Sequence, residues 1–404
     1  MNKSRLLRNA LFQVHWFVGI TAGIVLALVG FSGALLGFEH EIQDRLNRSV
    51  RTVTPAGTML SPPELLARIH QQFPERRIQS LQLEPAHATY AARVTFALAG
   101  QVEKPAPGRP RGEVRFVDPY TGAVNTDPGN RGEQFFRGVM QLHRWLTWGD
   151  LGNQAIGKQI VGASTALCLY LALSGLYLRW PARGANWRIW LQPNFKLSGR
   201  AFLWNLHAVI GTWVLAFYVL MSLTGLQWSY DWYRKGLYSL AGVPMPARPQ
   251  GGEKGGQPQA QSAKHAPSID SAWQGFLTAT HDERYDTVSI NLPRSAKDAL
   301  EIRYLALDAP HERAMNTIAL DPLTGEIRKH ERYADKPIGG KLVASIFPLH
   351  SGTFFGVPGQ VLYLLASLMM PVFAVTGWLL YLRRRRAKAE ARSRATQLAS
   401  AETG

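Results

Sequence analysis

The sequence predicts an α-helical membrane protein, a bundle of four transmembrane helices built as a parallel internal repeat, with two small α+β domains outside the bilayer. Three observations support this fold class. Four apolar blocks are long enough to cross a membrane, which takes about 20 helical residues for a core of about 30 Å. Long polar stretches separate block one from block two and block three from block four. The motifs of the first half also recur, in order, in the second half.

The blocks extend from Ala10 to Phe38, Ile160 to Leu178, Ala201 to Trp228 and Val357 to Leu382. The length of the first block favours a retained anchor over a cleaved signal peptide. The resulting segments are an N-terminus at 1–9, helices at 10–39, 153–180, 201–230 and 356–382, external domains at 40–150 and 231–350, a short loop at 181–200, and a basic tail at 383–404. The second external domain contains a flexible, Gly- and Gln-rich insertion at 250–267.

The distribution of charge predicts the orientation of the chain. Basic residues gather at the N-terminus, in the short loop and in the tail, all on one side of a four-span topology. The positive-inside rule therefore places both termini in the cytoplasm and both large loops outside. Because topology accounts for the net charge of +17, we expect membrane lipid around the protein and no nucleic-acid partner. The only cysteine, Cys168, excludes disulfide frameworks, c-type heme attachment and Cys-ligated iron–sulfur clusters.

The repeat aligns the two halves motif by motif. The matched pairs are LFQVHWFVGITAG with LWNLHAVIGTW, Ser32-Gly33 with Thr224-Gly225, VDPYTGAV with LDPLTGEI, QLHRWLTWGDLG with PLHSGTFFGVPG, and LSGLYLRW with VTGWLLYLRR. Each half is thus helix, external domain, helix, and the halves share an orientation about an axis along the membrane normal. Small residues in the helices favour close helix packing, the role we predict for Gly19, Gly23, Gly30, Gly33, Gly211 and Gly225.

Each external region combines one amphipathic helix with short alternating runs typical of strands. The predicted helices are Pro62–Phe73 and Ser268–Ala279. The predicted strands are Ile78–Leu83, Tyr90–Leu98 and Val114–Val117 in the first region, and Thr287–Leu292, Leu300–Tyr304 and Thr317–Leu320 in the second. An Asp-Pro-x-Thr-Gly sequence supplies a tight hairpin turn in each.

Four histidines recur as repeat equivalents. An ionisable side chain within a membrane is costly and usually functional. His15 and His207 each lie inside a helix that enters from the cytoplasm, about 8 Å from its start. His143 and His350 each stand on the external side, shortly before a returning helix. The two pairs therefore occupy opposite leaflets, and each pair matches bis-histidine heme ligation from facing helices.

Aromatic side chains surround both pairs in the sequence. The predicted lining is Phe12, Trp16, Phe17, Trp204, Trp213 and Phe217 at the inner pair, and Phe136, Trp145, Trp148, Phe347, Phe354 and Phe355 at the outer pair. Aromatics at membrane interfaces also form belts without any cofactor, so both interpretations remain open for these residues.

Of the other histidines, only His40 is a candidate ligand. It lies at the outer end of the first helix, but its repeat partner is Trp232, which makes His40 a reserve ligand for the outer site. The rest have no metal-binding spacing and are predicted to be surface residues: His70, His87, His265, His281, His311 and His330.

Several motifs together resemble the PepSY-associated transmembrane family. They are HWFVGITAG with SGALLGFEHEI, LHRWL through SGLYLRWPAR, LHAVIGTW with SLTGL, LHSGTFFGVPGQ through TGWLLYLRRRR, and the paired DPxTG turns of PepSY units. Size and four-span form are most similar to FoxB-type inner-membrane siderophore reductases. That resemblance implies a bacterial inner-membrane, heme-dependent ferric-siderophore reductase with two b hemes per chain, whose large loops are periplasmic and PepSY-like.

Relatives carry a fused flavin reductase domain, and this sequence has no dinucleotide fingerprint that indicates one. The resemblance then implies a separate cytoplasmic electron donor, a flavin or NAD(P)H reductase. Two other functions stay open. One is a heme-free, membrane-anchored PepSY module that binds or regulates a peptidase or envelope partner. The other is a secondary transporter, which the four spans, the expected absence of an interrupted helix and the lack of a membrane carboxylate disfavour.

Overall fold

The computed structural model describes residues 3–98, 112–180, 187–246, 269–281, 283–293 and 298–401. The predicted insertion at 250–267 and the first part of the short loop, 181–186, lie outside the described residues. The chain divides into two compact units. The helical unit comprises Met1–Glu39, Phe135–Leu237 and Ile346–Gly404, and the sheet unit comprises His40–Gln134 and Tyr238–Ser345.

The secondary structure of the described residues contains helices and antiparallel strands. The helices are α1 (Lys3–Thr21), α2 (Gly23–Leu36), α3 (Glu39–Leu46), α4 (Arg48–Arg51), α5 (Pro62–Gln72), α6 (Glu133–Trp145), α7 (Gln154–Arg179), α8 (Trp187–Leu191), α9 (Gly199–Ser229), α10 (Asp231–Leu240), α11 (Asp270–Thr280), α12 (Ile338–Ser351) and α13 (Gly356–Ala401). The strands are β1 (Ile78–Leu83), β2 (Ala92–Phe96), β3 (Glu113–Val117), β4 (Tyr285–Asn291), β5 (Leu300–Ala306), β6 (Asn316–Leu320) and β7 (Ile327–Glu331).

Among the described residues, three helices are long and apolar enough to cross a membrane: α7, α9 and α13. The pair α1 and α2 provides a fourth if the two form one span. The observed bounds of α7 and α9 lie within two residues of the predicted helices at 153–180 and 201–230. Helix α13 does not end where the apolar block ends, because its hydrogen bonding continues through the basic tail to Ala401.

The residues predicted to form one unbroken helix at 10–39 instead form two helices, α1 and α2, which corrects that prediction. The axes of α1 and α2 differ by 57° across a break at Ala22. The Thr21 hydroxyl donates back to the carbonyl oxygen of Phe17 at 2.9 Å, and Gly23 follows directly. Back-bonding threonines and helical glycines are both ordinary causes of bends. The bend removes one of the three arguments against a transporter, while the small number of spans and the lack of carboxylates in the apolar blocks remain.

Close contacts between small residues hold the helical unit together. A Cβ atom on Gly30 of α2 would lie only 2.5 Å from Cβ of Met370 in α13. The close approach of α2 and α13 therefore requires glycine at position 30. A Cβ atom on Gly162 of α7 would likewise lie 2.8 Å from Cβ of Ser229 in α9. The core between the helices includes Cys168 and Tyr218, which are both buried. The packing role predicted for Gly30 is therefore confirmed.

The sheet unit contains one seven-stranded antiparallel sheet, in the order β3-β2-β1-β4-β5-β6-β7, rather than two separate domains. The halves join where β1 pairs with β4, with Leu81 opposite Ile290. An unpaired β1 or β4 would leave a row of backbone groups exposed at a sheet edge. Pairing the repeat-equivalent strands satisfies both edges at once, which gives a physical reason for the merger.

Helices α5 and α11 contribute to a core shared by both halves of the sheet unit. Leu65, Ile69 and Phe276 are fully buried there together with strand residues such as Val94 and Ile302. The predicted helices and six predicted strands are confirmed with small shifts at their ends. The seventh strand, β7, was not predicted. Its sequence IRKHE is almost wholly exposed at the sheet edge, so it lacks an alternating apolar signal.

Both Asp-Pro-x-Thr-Gly sequences form the predicted turns. The backbone N–H of Gly122 donates to the carbonyl oxygen of Asp118, and that of Gly325 donates to Asp321 in the same way. The Asp321 carboxylate accepts hydrogen bonds from Arg328 and from the backbone of Leu323 and Thr324, which lower its pKa to about 2. The turn therefore keeps its charged hydrogen-bond acceptor well into the acidic range.

Gly325→Ala is expected to destabilise the sheet unit by about 1–3 kcal/mol. Gly325 has φ +74°, which strains an L-residue, and an added Cβ would clash with the carbonyl oxygen of Ser271 in α11. Thermal unfolding of the detergent-purified chain, followed by tryptophan fluorescence, measures the effect. Gly236→Ala is the matched control, because a Cβ there meets nothing within 4 Å. Equal stability of both variants would contradict this account of the turn.

Candidate cofactor sites

All four repeat-equivalent histidines have the same type of hydrogen-bond partner. In each, Nδ1 meets a serine or threonine hydroxyl from another helix. The pairs are His15 with Ser174 at 2.8 Å, His207 with Thr376 at 2.8 Å, His143 with Ser32 at 3.3 Å, and His350 with Thr224 at 3.0 Å. Nδ1 of His143 also lies 2.9 Å from the carbonyl oxygen of Val29. The repeat is thus preserved down to single hydrogen bonds.

The hydroxyl groups fix which ring nitrogen carries the proton. Each hydroxyl donates to a carbonyl oxygen of its own helix, as Thr224 does to Leu220 at 2.6 Å and Thr376 to Val372 at 2.8 Å. A hydroxyl whose hydrogen is committed in this way accepts a hydrogen bond from Nδ1–H. The neutral imidazole then keeps its lone pair on Nε2, the nitrogen that is left to bind a metal.

The outer pair has the separation that bis-imidazole ligation needs. The ring centroids of His143 and His350 are 6.3 Å apart. Two nitrogen–metal bonds of about 2 Å, plus about 1 Å from each nitrogen to its ring centre, add to about 6 Å. The two ring planes are inclined by 66°, and bis-imidazole ligation does not require parallel rings. The donor type and spacing therefore fit a six-coordinate heme iron.

Two helices that the sequence analysis missed carry the outer histidines, α6 and α12. We predicted His143 and His350 just ahead of the spanning helices, without helices of their own. Helix α6 has an amphipathic pattern that could have revealed it, since Phe136, Val139 and His143 follow at spacings of three and four. The ring closest to His350 among its aromatic contacts is Trp228, at 5.1 Å, which the sequence did not single out.

Three glycines lie against the histidine rings, which corrects the purely packing role predicted for two of them. A Cβ on Gly33 would lie 3.0 Å from Cε1 of His143, and one on Gly225 would lie 3.2 Å from Cε1 of His350. Gly175 stands in the same relation to His15, at 3.4 Å, but Gly377 has nothing within 4 Å. Each Ser/Thr-Gly dipeptide thus places its hydroxyl next to a histidine Nδ1. In three of the four dipeptides, the glycine also lies against the imidazole ring.

The inner pair lines a cavity of about 900 Å³ in the helical unit. Its volume is typical of sites for cofactors and other small molecules. Of the predicted lining residues, Phe12, Trp16 and Trp204 face the cavity. The other three, Phe17, Trp213 and Phe217, do not line it. Phe373, Tyr218 and Tyr381 do so instead, and the Phe373 ring centroid lies 4.9 Å from that of His207.

The remaining histidines differ from the four above. His40, the reserve ligand, is exposed at the start of α3. His311 is not a surface residue as predicted, because it is buried and lies within hydrogen-bond distance of Tyr333 and Ser345. No cluster of three or more His, Cys, Asp or Glu side chains suited to a metal ion occurs within the described part of the chain.

Comparison with known proteins supports the family resemblance. A search of curated proteins finds no match. The sequence profile of the PepSY-associated TM region matches residues 12–384, which include all four histidines and both Asp-Pro-x-Thr-Gly turns. Because this match extends over most of the chain, the protein belongs to the PepSY-associated transmembrane family.

Proposed function

We propose that the chain is a transmembrane electron conduit that holds two b hemes and reduces ferric siderophore-bound iron in the periplasm. His15 and His207 hold the inner heme, and His143 and His350 hold the outer one. When bound, each heme accepts and releases one electron at a time. A cytoplasmic flavin or NAD(P)H reductase is the proposed donor, and the bacterial inner membrane is the proposed location.

The observation that carries this proposal is the fourfold pairing of histidine Nδ1 with a back-bonded hydroxyl. A single structural histidine also needs a hydrogen bond, but recurrence of the same bond at all four repeat-equivalent histidines favours two pairs of ligands. The hydroxyl group orients its ring and keeps the proton on Nδ1, as a metal-ligating imidazole requires. The mainly apolar lining of the inner cavity also favours the burial of a macrocycle.

A ferric chelate is a chemically sensible substrate for such a conduit. Siderophores hold ferric iron through hard oxygen ligands, and reduction to the softer ferrous ion weakens those bonds. Release then needs an electron and no acid–base catalyst. The spanning helices contain no aspartate or glutamate within their apolar blocks, in keeping with a site that moves electrons rather than protons.

An absorption spectrum of the detergent-purified chain, before and after dithionite, tests the proposal. We expect a Soret band, low-spin bis-imidazole bands and two hemes per chain. A colourless protein, purified from cells that make heme normally, would reject the conduit and favour the heme-free binding module.

Removal of a supporting hydroxyl is expected to weaken heme binding without removing a ligand. Thr224→Val should lower the affinity of the outer site by about 10–100-fold, the usual effect of losing such a partner. The reduction potential should rise, because a less basic imidazole stabilises ferric iron less. Heme titration and potentiometry measure both quantities. Thr165→Val is the matched control, since Thr165 is also back-bonded, to Val161 at 2.8 Å, and Thr224→Ser should restore the original values. Equal effects from both valine variants would count against a ligand-orienting role.

A further inference from the structure

The inner cavity has an uneven distribution of charge. Among the described residues that line it, the charged side chains are Arg179, Arg200 and Arg384, and no carboxylate is present. The rest of the lining is mainly apolar, with Leu26 and Met370 among its members. Cationic groups at the edge of a largely apolar cavity favour an anionic ligand, because guanidinium groups form strong charge-assisted hydrogen bonds with carboxylates.

All three arginines lie toward the same end of the cavity. Arg200 precedes His207 by seven residues on α9, and Arg384 follows the histidine partner Thr376 by eight residues on α13. At 1.5 Å per residue, each arginine is about 10–12 Å along its helix from the histidine level. The arginine precedes the level of the histidines on α9 and follows that level on α13. Because the two helices are antiparallel, both arginines lie toward the same end of the cavity. The cavity is thus cationic at one end and apolar beyond the histidines.

Arg179 already has protein acceptors. Its guanidinium donates to Thr212 at 2.6 Å and to the carbonyl oxygen of Trp190 at 3.0 Å, and it also contacts the carbonyl oxygens of Ala208 and Ile189. These bonds occupy both terminal nitrogens, so Arg179 joins α7 to α8 and α9.

Arg200 and Arg384 differ from Arg179. Within the described part of the chain, neither guanidinium has a hydrogen-bond acceptor or an ion-pair partner. The Arg384 guanidinium lies over the Phe12 ring at 4.8 Å, which orients it without using its N–H groups.

From this arrangement, and resting on the function proposed above, we infer that Arg200 and Arg384 form a two-point clamp for a dicarboxylate edge, the propionates of the inner heme. Two guanidinium groups match two carboxylates in charge, and arginine binds carboxylates in a planar, bidentate manner. Leu26 and Met370 would then line the part of the site that holds the apolar edge of the macrocycle. The two histidines alone would allow the cofactor to bind in several orientations, and the clamp would select one of them.

The test uses the His143→Ala chain, in which only the inner site remains, expressed without heme and titrated with heme or with heme dimethyl ester. Arg200→Gln and Arg384→Gln are each expected to raise the dissociation constant for heme about tenfold or more, as loss of a charge-assisted hydrogen bond does. Both variants should bind the dimethyl ester as the parent does, since the ester has no carboxylate. Arg386→Gln, an exposed change two residues along the same helix, is the control.

Each outcome has a distinct meaning. Equal losses for heme and its ester would overturn the clamp and assign the arginines to packing, as would unchanged heme binding in both glutamine variants. In either case heme still binds the parent chain, so the conduit proposal survives. A parent chain that binds neither ligand would instead overturn the proposed function, and the clamp with it. Arg200→Lys and Arg384→Lys should each lose less heme affinity than the corresponding glutamine variant, because lysine keeps the charge but not the bidentate geometry.

Discussion

Replacement of His143 by alanine is expected to halve the heme content of the purified chain and to leave the inner heme spectrum unchanged. His143 and His350 form one pair with centroids 6.3 Å apart, while His15 and His207 line a separate cavity. Loss of one axial ligand leaves its partner imidazole alone at the site, whereas the other pair keeps its hydrogen bonds to Ser174 and Thr376. Pyridine hemochrome assay and potentiometric titration measure heme number and the remaining potential.

The complementary substitution, at the inner pair of histidines, tests whether each variant loses only its own site. His207→Ala should also halve the heme content but retain the outer heme, so the two single variants should keep different spectra and potentials. His40→Ala is the control for a reserve ligand and should keep two hemes, because His40 is exposed on α3. Two full hemes in all four single-alanine variants of the paired histidines would refute the pairing. One heme in the unmodified chain would show that one pair does not ligate.

The long apolar helices and the recurring motifs could be identified because both leave signals within short stretches of sequence. An apolar block marks each spanning helix, and matched motifs mark the duplication. The bend at Ala22 and the join between β1 and β4 could not be predicted in that way. The bend depends on how Thr21 and Gly23 act inside an otherwise continuous apolar run. The join depends on two strands about two hundred residues apart, which have the same alternation whether or not they pair.

The four candidate ligands could be identified in the sequence, but their hydrogen-bond partners could not. Four histidines stood out because they recur and lie in or beside apolar helices. Ser32 and Thr224 were visible as a repeated pair next to glycine, but glycine-rich helix faces ordinarily indicate packing. Their role depends on contacts with His143 and His350, which are more than one hundred residues away in sequence. Sequence spacing contains no information about such a contact unless the fold is known.

The hydrogen bonds at the histidines pair residues of the same half of the sequence. His15 is oriented by Ser174 of its own half, and His207 by Thr376 of its own half. Under the proposed function, each half would supply one imidazole to each heme site, and both halves would be needed to complete either site.

Ferric reduction across a membrane is expected to require both sites at once. His207 and Thr224, the partner of His350, are seventeen residues apart on α9. That spacing corresponds to about 25 Å at 1.5 Å per residue, most of a hydrocarbon core of about 30 Å. The two proposed sites are therefore expected to lie toward opposite faces, and neither is expected to carry electrons across the bilayer alone. Arg200 and Arg384 form the cationic end of the inner cavity. The positive-inside rule favours a cytoplasmic location for this end, and its charge would attract an acidic electron donor.

Oriented proteoliposomes test this expectation directly. With a reductant enclosed inside and a ferric siderophore outside, the unmodified chain should release ferrous iron outside, detected by an impermeant ferrous chelator. His207→Ala and His350→Ala should each reduce release to the rate of protein-free liposomes, although each variant retains one heme. His40→Ala is the control and should remain active. A reductant supplied only outside should bypass the inner site, and under that condition His207→Ala should reduce the chelate as fast as the parent does. Release that persists equally in the two single-site variants with reductant inside would mean that electrons do not pass through both sites, and the conduit would have to be abandoned.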